Sequence, residues 1–202
     1  MENGGLGRRF LFRSRHAALR LVTAGSQRQH GAGHHLKGKH MTATLFPWVR
    51  TLHILFAASW FGAAAVLTLY LLPVLRQLGA TGETTLQALT GRGLHRFMAA
   101  SSGVTVLSGL WLYWTLTAGF SASAMSSTAG MVFGLGGLAG LLAAMLGGGV
   151  IGRSIQRIEA LSASGSGAAQ IASLHQRIAM ASRLALSLLA FALLAMAFGH
   201  LL

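Results

Sequence analysis

Three long stretches of this chain contain no Asp, Glu, Lys or Arg: residues 51–75, 97–152 and 184–202. Runs of that length restrict the fold more than any other feature. A soluble helix built from them would have no charged face to turn towards water. Only 9% of the residues are charged, against about 25% in a typical soluble domain. The chain therefore reads as an integral membrane protein. The middle run is long enough for two spans, parted by the small polar segment AGFSASAMSSTAG, Ala118 to Gly130. Four spans are expected, near residues 48–72, 97–117, 130–152 and 182–201. Each holds about 20 residues, as a hydrocarbon core of about 30 Å requires at about 1.5 Å per residue. The apolar runs are continuous rather than alternating, which favours helices over strands. The expected fold class is all-α, a four-helix bundle within a bilayer.

Positive charge sets the expected orientation. Arg76, Arg92 and Arg96 lie between the first two spans, and Arg153, Arg157, Arg177 and Arg183 around the link from the third to the fourth. The turn between spans two and three has no basic residue, and neither does the C-terminus. The positive-inside rule then puts the 73–96 and 153–181 loops in the cytoplasm and both chain ends outside. Contact with anionic lipid headgroups is the default reading of Arg92, Arg96, Arg153, Arg157 and Arg177. The link itself is expected to have two helical ends, RSIQRIEAL and AAQIASLHQRIAMASR, around a flexible SASGSG. The first forty residues oppose this orientation, because they carry Arg8, Arg9, Arg13, Arg15, Arg20, Arg28, Lys37 and Lys39. Two explanations compete: Met41 is the true start, which is the favoured reading, or residues 1–40 are a targeting or regulatory segment. Either way residues 1–40 are expected to form a disordered basic tail rich in His, Gly and Arg.

With no cysteine in the chain, disulfides, iron–sulfur clusters and covalent haem attachment are excluded. No acid lies within a span, so hydrolase chemistry and carboxylate proton relays are poorly supported. A basic tail alone is weak ground for nucleic-acid binding. Histidine remains. An ionisable ring in a membrane helix usually faces the bundle interior and has a role. His53 lies early in span one, and Arg50, Ala57, Trp60 and Ala64 share its face at the helical period. His200 ends span four, in the same outer leaflet, with Met196 one turn before it. His53 and His200 are the candidate metal ligands, with Met196 and Trp60 beside them. Imidazole suits haem iron and copper, and thioether suits copper(I) or haem. Met125 and Met131 lie towards the outer side as well. His95, in GLHRF, reads as interfacial.

The third span has a small residue at every fourth position: Gly136, Gly140, Ala144, Gly148 and Gly152. Such a series predicts close helix packing. Ser101, Thr105, Ser108 and Thr115 form a polar stripe on span two that can hydrogen-bond to neighbouring helices. Trp48, Trp111, Trp114 and Tyr70 fit an interfacial aromatic belt.

Leu52-His53-Ile54, then Phe56, then Trp60-Phe61-Gly62, with Pro73 closing the span, resembles the first helix of a superfamily of small membrane proteins. It includes the copper-resistance CopD-type membrane domain and the HemJ-type protoporphyrinogen oxidase. The resemblance continues at Ser108-Gly109-Leu110-Trp111-Leu112 and at Met196-Ala197-Phe198-Gly199-His200. It implies a four-helix bundle and, on the HemJ side, haem held through the first-span histidine, which falls on His53. HemJ-type enzymes carry a His and a Lys early in the third span, where this chain reads TAGMVFGLGG, so that activity is not implied.

These expectations describe a bacterial inner-membrane protein that binds haem b or copper near the outer leaflet for redox chemistry or metal handling. The alternative is a cofactor-free accessory subunit that docks through its glycine-rich third helix. The bilayer is the expected partner, with a homo-oligomer or larger membrane complex beyond it and no nucleic acid.

Overall fold

The computed structural model describes residues 44–165, 167–199 and 201, and every described element is helical. The basic tail, the start at Met41 and the ligand candidate His200 lie outside the described residues. The chain divides into Met1–Trp48 and Val49–Leu202. Of the first unit only Thr44 to Trp48 are described, as helix.

Helix α1 spans Thr44–Gln77. It does not stop at Pro73, where the span was expected to close. Leu67–Leu71 adopts π-helical geometry immediately before Leu72–Gln77, in whose first turn Pro73 sits. A proline inside a helix has no N–H to donate and crowds the carbonyl four residues back. That carbonyl belongs to Leu69, within the wider π turn, so the helix absorbs the proline and continues. Gly79, with φ +55, turns the chain into α2, Ala80–Gly91. A Cβ on Gly82 would collide with the Leu75 carbonyl, so this corner requires glycine. Gly93 (φ +96) then leads into α3, Leu94–Leu116.

The turn after α3 holds a short helix, α4, Ala122–Met125. Thr117 closes α3: fully buried, it donates to the Tyr113 carbonyl (2.7 Å) and accepts from the Phe120 N–H (3.2 Å). Ser127 caps the next helix, α5, by accepting from the Gly130 N–H at 3.1 Å. The Tyr113 hydroxyl donates to the Gly130 carbonyl at 3.1 Å and so joins the end of α3 to the start of α5.

Helix α5 covers Thr128–Ala163 and α6 covers Ala168–Phe198. Gly165 (φ +64) and Gly167 (φ +88) lie in the turn between them. The two helical ends expected around SASGSG are therefore continuations of the spans themselves. At about 1.5 Å per residue α5 is about 54 Å long and α6 about 47 Å, well beyond a hydrocarbon core of about 30 Å. Helices α1, α5 and α6 are long and apolar enough to cross a membrane. Helix α3 has the length, at 23 residues, but Ser101, Ser102, Thr105, Ser108 and Thr115 dilute its apolar content.

The four long helices pack with small and polar residues inside. Ala57, Ala139, Ala143, Ala181, Ala185 and Ala192 are buried, whereas Leu107, Leu135, Met145, Phe191 and Leu194 are exposed. Water would reject such a surface, and lipid would accept it. The largest side chain in the core is Trp60, which clusters with Ala143 of α5 and Ala185 and Leu189 of α6. Phe61, Ala64 and Met98 pack against that cluster.

Candidate functional site

His53 lies on the α1 face that meets α3 and is only 6% exposed. Its Nδ1 is 2.9 Å from the Thr105 carbonyl and 3.0 Å from Ser108 Oγ. The proton positions follow from the network. A carbonyl can only accept, so the short approach to Thr105 requires a proton on Nδ1. Ser108 is consistent with that assignment, because its hydroxyl donates to the Val104 carbonyl at 2.5 Å. The neutral ring then carries a lone pair on Nε2, which has no hydrogen-bond partner among the described residues. Metal-binding histidines are held in this manner: one ring nitrogen donates to a carbonyl, which fixes the tautomer and aims the other nitrogen.

Close helix approach makes the contact possible. A Cβ built on Gly109 would stand 2.8 Å from His53 Cε1 and 3.3 Å from Nδ1. The imidazole thus lies directly on the α3 backbone. Sequence reasoning singled out the Ser101, Thr105, Ser108 stripe but did not pair it with His53. An antiparallel partner whose polar residue meets the middle of that stripe was the available signal. Ser101, two turns from Ser108, is fully buried, and its Oγ has no hydrogen-bond partner.

The other candidates divide into two groups. Trp60 is 5% exposed and belongs to the core cluster two turns deeper on α1 than His53. Met196 is half-buried and continues the buried series Ala185, Leu189, Ala192 on α6. Trp60 clusters with Ala185 and Leu189, and α1 and α6 run antiparallel, as the hydrogen bond from Arg76 to the His175 carbonyl requires. Seven residues towards the N-terminus of α1, about 10 Å, bring His53 to within about one turn of Met196 in depth. By contrast, His95 is exposed at the start of α3, and Met125 and Met131 are 38% and 51% exposed. Among the described residues no group of three or more His, Cys, Asp or Glu could hold a metal ion.

The small residues of α5 do not all face one neighbour. A Cβ on Gly136 would lie 3.0 Å from Ala195 Cβ and 3.4 Å from the Ala192 carbonyl, a close approach to α6. Ala144 packs against the Trp60 cluster. Gly140 and Gly148 have open space beside their Cα atoms, and Gly152 only brushes the Gly147 carbonyl of its own helix. Comparison with protein-family models, with curated proteins and with solved structures finds no match for this chain.

Proposed function

We propose that the chain is a four-helix transmembrane bundle of the bacterial inner membrane, with α1, α3, α5 and α6 as its spans. In this reading His53 Nε2 ligates a haem b iron or a copper ion in the outer half of the bilayer. The observation that carries it is the Nδ1 tether to the Thr105 carbonyl, which leaves Nε2 with a free lone pair in a buried position. Met196, at a similar depth, supplies a thioether, and an imidazole–thioether pair suits haem iron and copper(I). His200, one turn beyond Met196 in sequence, is a further candidate donor. Bound there, either group would supply one-electron redox chemistry or a station for metal transfer. The protein's own part is to fix the imidazole tautomer, exclude water and hold the donors at similar depth.

A second reading rests on the same hydrogen bonds. The Nδ1 link pins α1 to α3, which accounts for a buried histidine with no cofactor. The chain would then be an accessory subunit, with the open glycine positions of α5 as its docking surface.

One experiment separates the two. The protein is purified in detergent, loaded with haem or copper, and examined by visible spectroscopy and metal analysis. A Soret band lost in His53→Ala supports haem, and stoichiometric copper lost in the same variant supports metal handling. A folded protein that stays colourless and metal-free after loading sinks the ligand reading and leaves the accessory one.

A further inference from the structure

The end of the molecule opposite His53 collects arginines from all four long helices. Here α1 and α5 finish and α3 and α6 begin. Arg92 lies in the turn before α3, Arg96 in the first turn of α3, Arg153 on α5, Arg177 and Arg183 on α6, and Arg76 at the end of α1; all are exposed. Arg76 donates to the His175 carbonyl at 2.9 Å. The others have no protein partner among the described residues. The described acids are Glu83 and Glu159, both at this end, and neither pairs with any of these arginines.

The depths of these groups follow from the helix register. Trp60 clusters with Ala185 and Leu189 on α6 and with Ala143 on α5, and Met98 of α3 packs on the same cluster. The His53 bonds to Thr105 and Ser108 set Trp60 about level with Ser101 on antiparallel α3. At about 1.5 Å per residue, Arg96 then lies about 8 Å from the Trp60 layer and Arg183 about 6 Å, counted from midway between Ala185 and Leu189, so the two are at similar depth. Arg92, Arg153 and Arg177 lie about 14–18 Å from it. The uncharged part of α5, residues 128–152, is centred near Gly140, about 5 Å to the other side of Ala143. The first pair therefore falls about 11–13 Å from the bilayer centre, just inside the edge of a hydrocarbon core of about 30 Å. The second set falls within the headgroup layer.

We infer that these unpaired guanidinium groups bind the phosphates of anionic phospholipids, with Arg96 and Arg183 gripping headgroups at the hydrocarbon boundary. Guanidinium is a planar fork that matches phosphate oxygens in pairs, and a phosphodiester at that depth has lost much of its competing water. An excess of positive charge over two acids selects anionic over zwitterionic lipid. The inference needs the helices to lie in a bilayer but does not need the His53 site, so it stands or falls separately.

The test uses the full chain in a neutral detergent. Phosphatidylglycerol, phosphatidylcholine with the same acyl chains, or inorganic phosphate is added, and the thermal midpoint and the bound lipid by native mass spectrometry are recorded. Phosphatidylglycerol should raise the midpoint by several degrees and remain bound, and phosphatidylcholine should do neither. Arg96→Gln/Arg183→Gln should lose most of that rise and at least half of the retained phosphatidylglycerol, and Arg96→Lys/Arg183→Lys should recover part of both. Helix content by circular dichroism confirms that the variants fold, and Arg157→Gln, deeper in the aqueous phase, serves as a second variant with little effect. Equal retention of the two lipids, or an unaltered response in the glutamine variant, overturns the inference. A response reproduced by inorganic phosphate alone overturns the assignment to lipid.

Discussion

At the scale of single residues, the contact between His53 and α3 depends on what position 109 lacks. Glycine there lets the imidazole reach the Thr105 carbonyl; any side chain holds it away. Two substitutions separate the polar contribution from the steric one. Ser108→Ala leaves Thr105 as the acceptor for Nδ1, so the loss should be about 1 kcal/mol or less, the net worth of one hydrogen bond. Gly109→Ala places a methyl group 2.8 Å from Cε1. The ring or the helix must move, at a cost of about 1–3 kcal/mol typical of overpacking. Unfolding in mixed detergent, followed by tryptophan fluorescence, measures both. A Gly109→Ala variant as stable as the parent would mean that His53 does not rest on α3. The same variant should weaken haem or copper loading more than Ser108→Ala does, because it disturbs the aim of Nε2 as well as stability. His53 was legible in the sequence because one ionisable ring in a charge-free run is conspicuous. Its partners were not, because Ser and Thr in a membrane helix are common and most bond to their own backbone, as Thr105 does to Ser101.

At the scale of the element, the third-span glycines show what a spacing rule predicts and where it fails. A step of four residues turns a helix by about 40° beyond one full turn, since about 3.6 residues complete it. Two such steps, from Gly136 to Ala144, drift by about 80°, and beyond Met145 the helix is π-helical over Leu146–Gly152, so the series does not keep to one face. Beyond Gly130 in the first turn, the buried set is Gly136, Ala139 and Ala143, which alternates steps of three and four and keeps to one side. Gly136→Ala should therefore cost about 1–3 kcal/mol against Ala192 and Ala195. Gly140→Ala, facing open space, should be neutral or stabilise by about 0.5–1 kcal/mol through its better helix propensity. Thermal unfolding of the two variants in the same detergent checks the order. A larger loss at Gly140 would mean that a further helix, such as one from a second copy, packs there. Helix ends were also hard to read, for a related reason. Charge-free runs mark the apolar length, but Arg153–Ala163 continues α5 in a sequence rich in Arg, Ile and Ala, where helix propensity persists after hydrophobicity has ended. Pro73 misleads in the opposite direction, since the π turn before it carries the helix past a residue that normally stops one.

At the scale of the whole molecule, two gradients agree. Small and polar side chains are inside and large apolar ones outside, which is the distribution expected for helices that pack in lipid. Along the helices, basic residues concentrate where α5 turns into α6, whereas Arg50 is the only Lys or Arg near the opposite end among the described residues. Composition made apolar, membrane-type helices legible, and the polar turn from Ala118 to Gly130 marked the break between α3 and α5, although four spans were expected and three helices are apolar enough to cross a membrane among the described residues. Orientation is where the sequence argues with itself, because the eight basic residues of the tail would oppose the arginines of the loops. The proposed orientation gives the loops the greater weight, on position. The positive-inside rule weighs Lys and Arg close to the ends of spans, and Arg76, Arg92, Arg96, Arg153 and Arg183 all lie within a few turns of the hydrocarbon boundary derived from the register. Most of the basic tail is separated from α1 by tens of residues. Alkaline phosphatase, active only outside the cytoplasm, fused after Ser123, Ser164 or Leu202 should accordingly report outside, inside and outside. The reverse order would carry the arginine belt to the outer face and His53 to the inner leaflet, and haem or copper delivered from the periplasm would then meet the wrong end of the molecule.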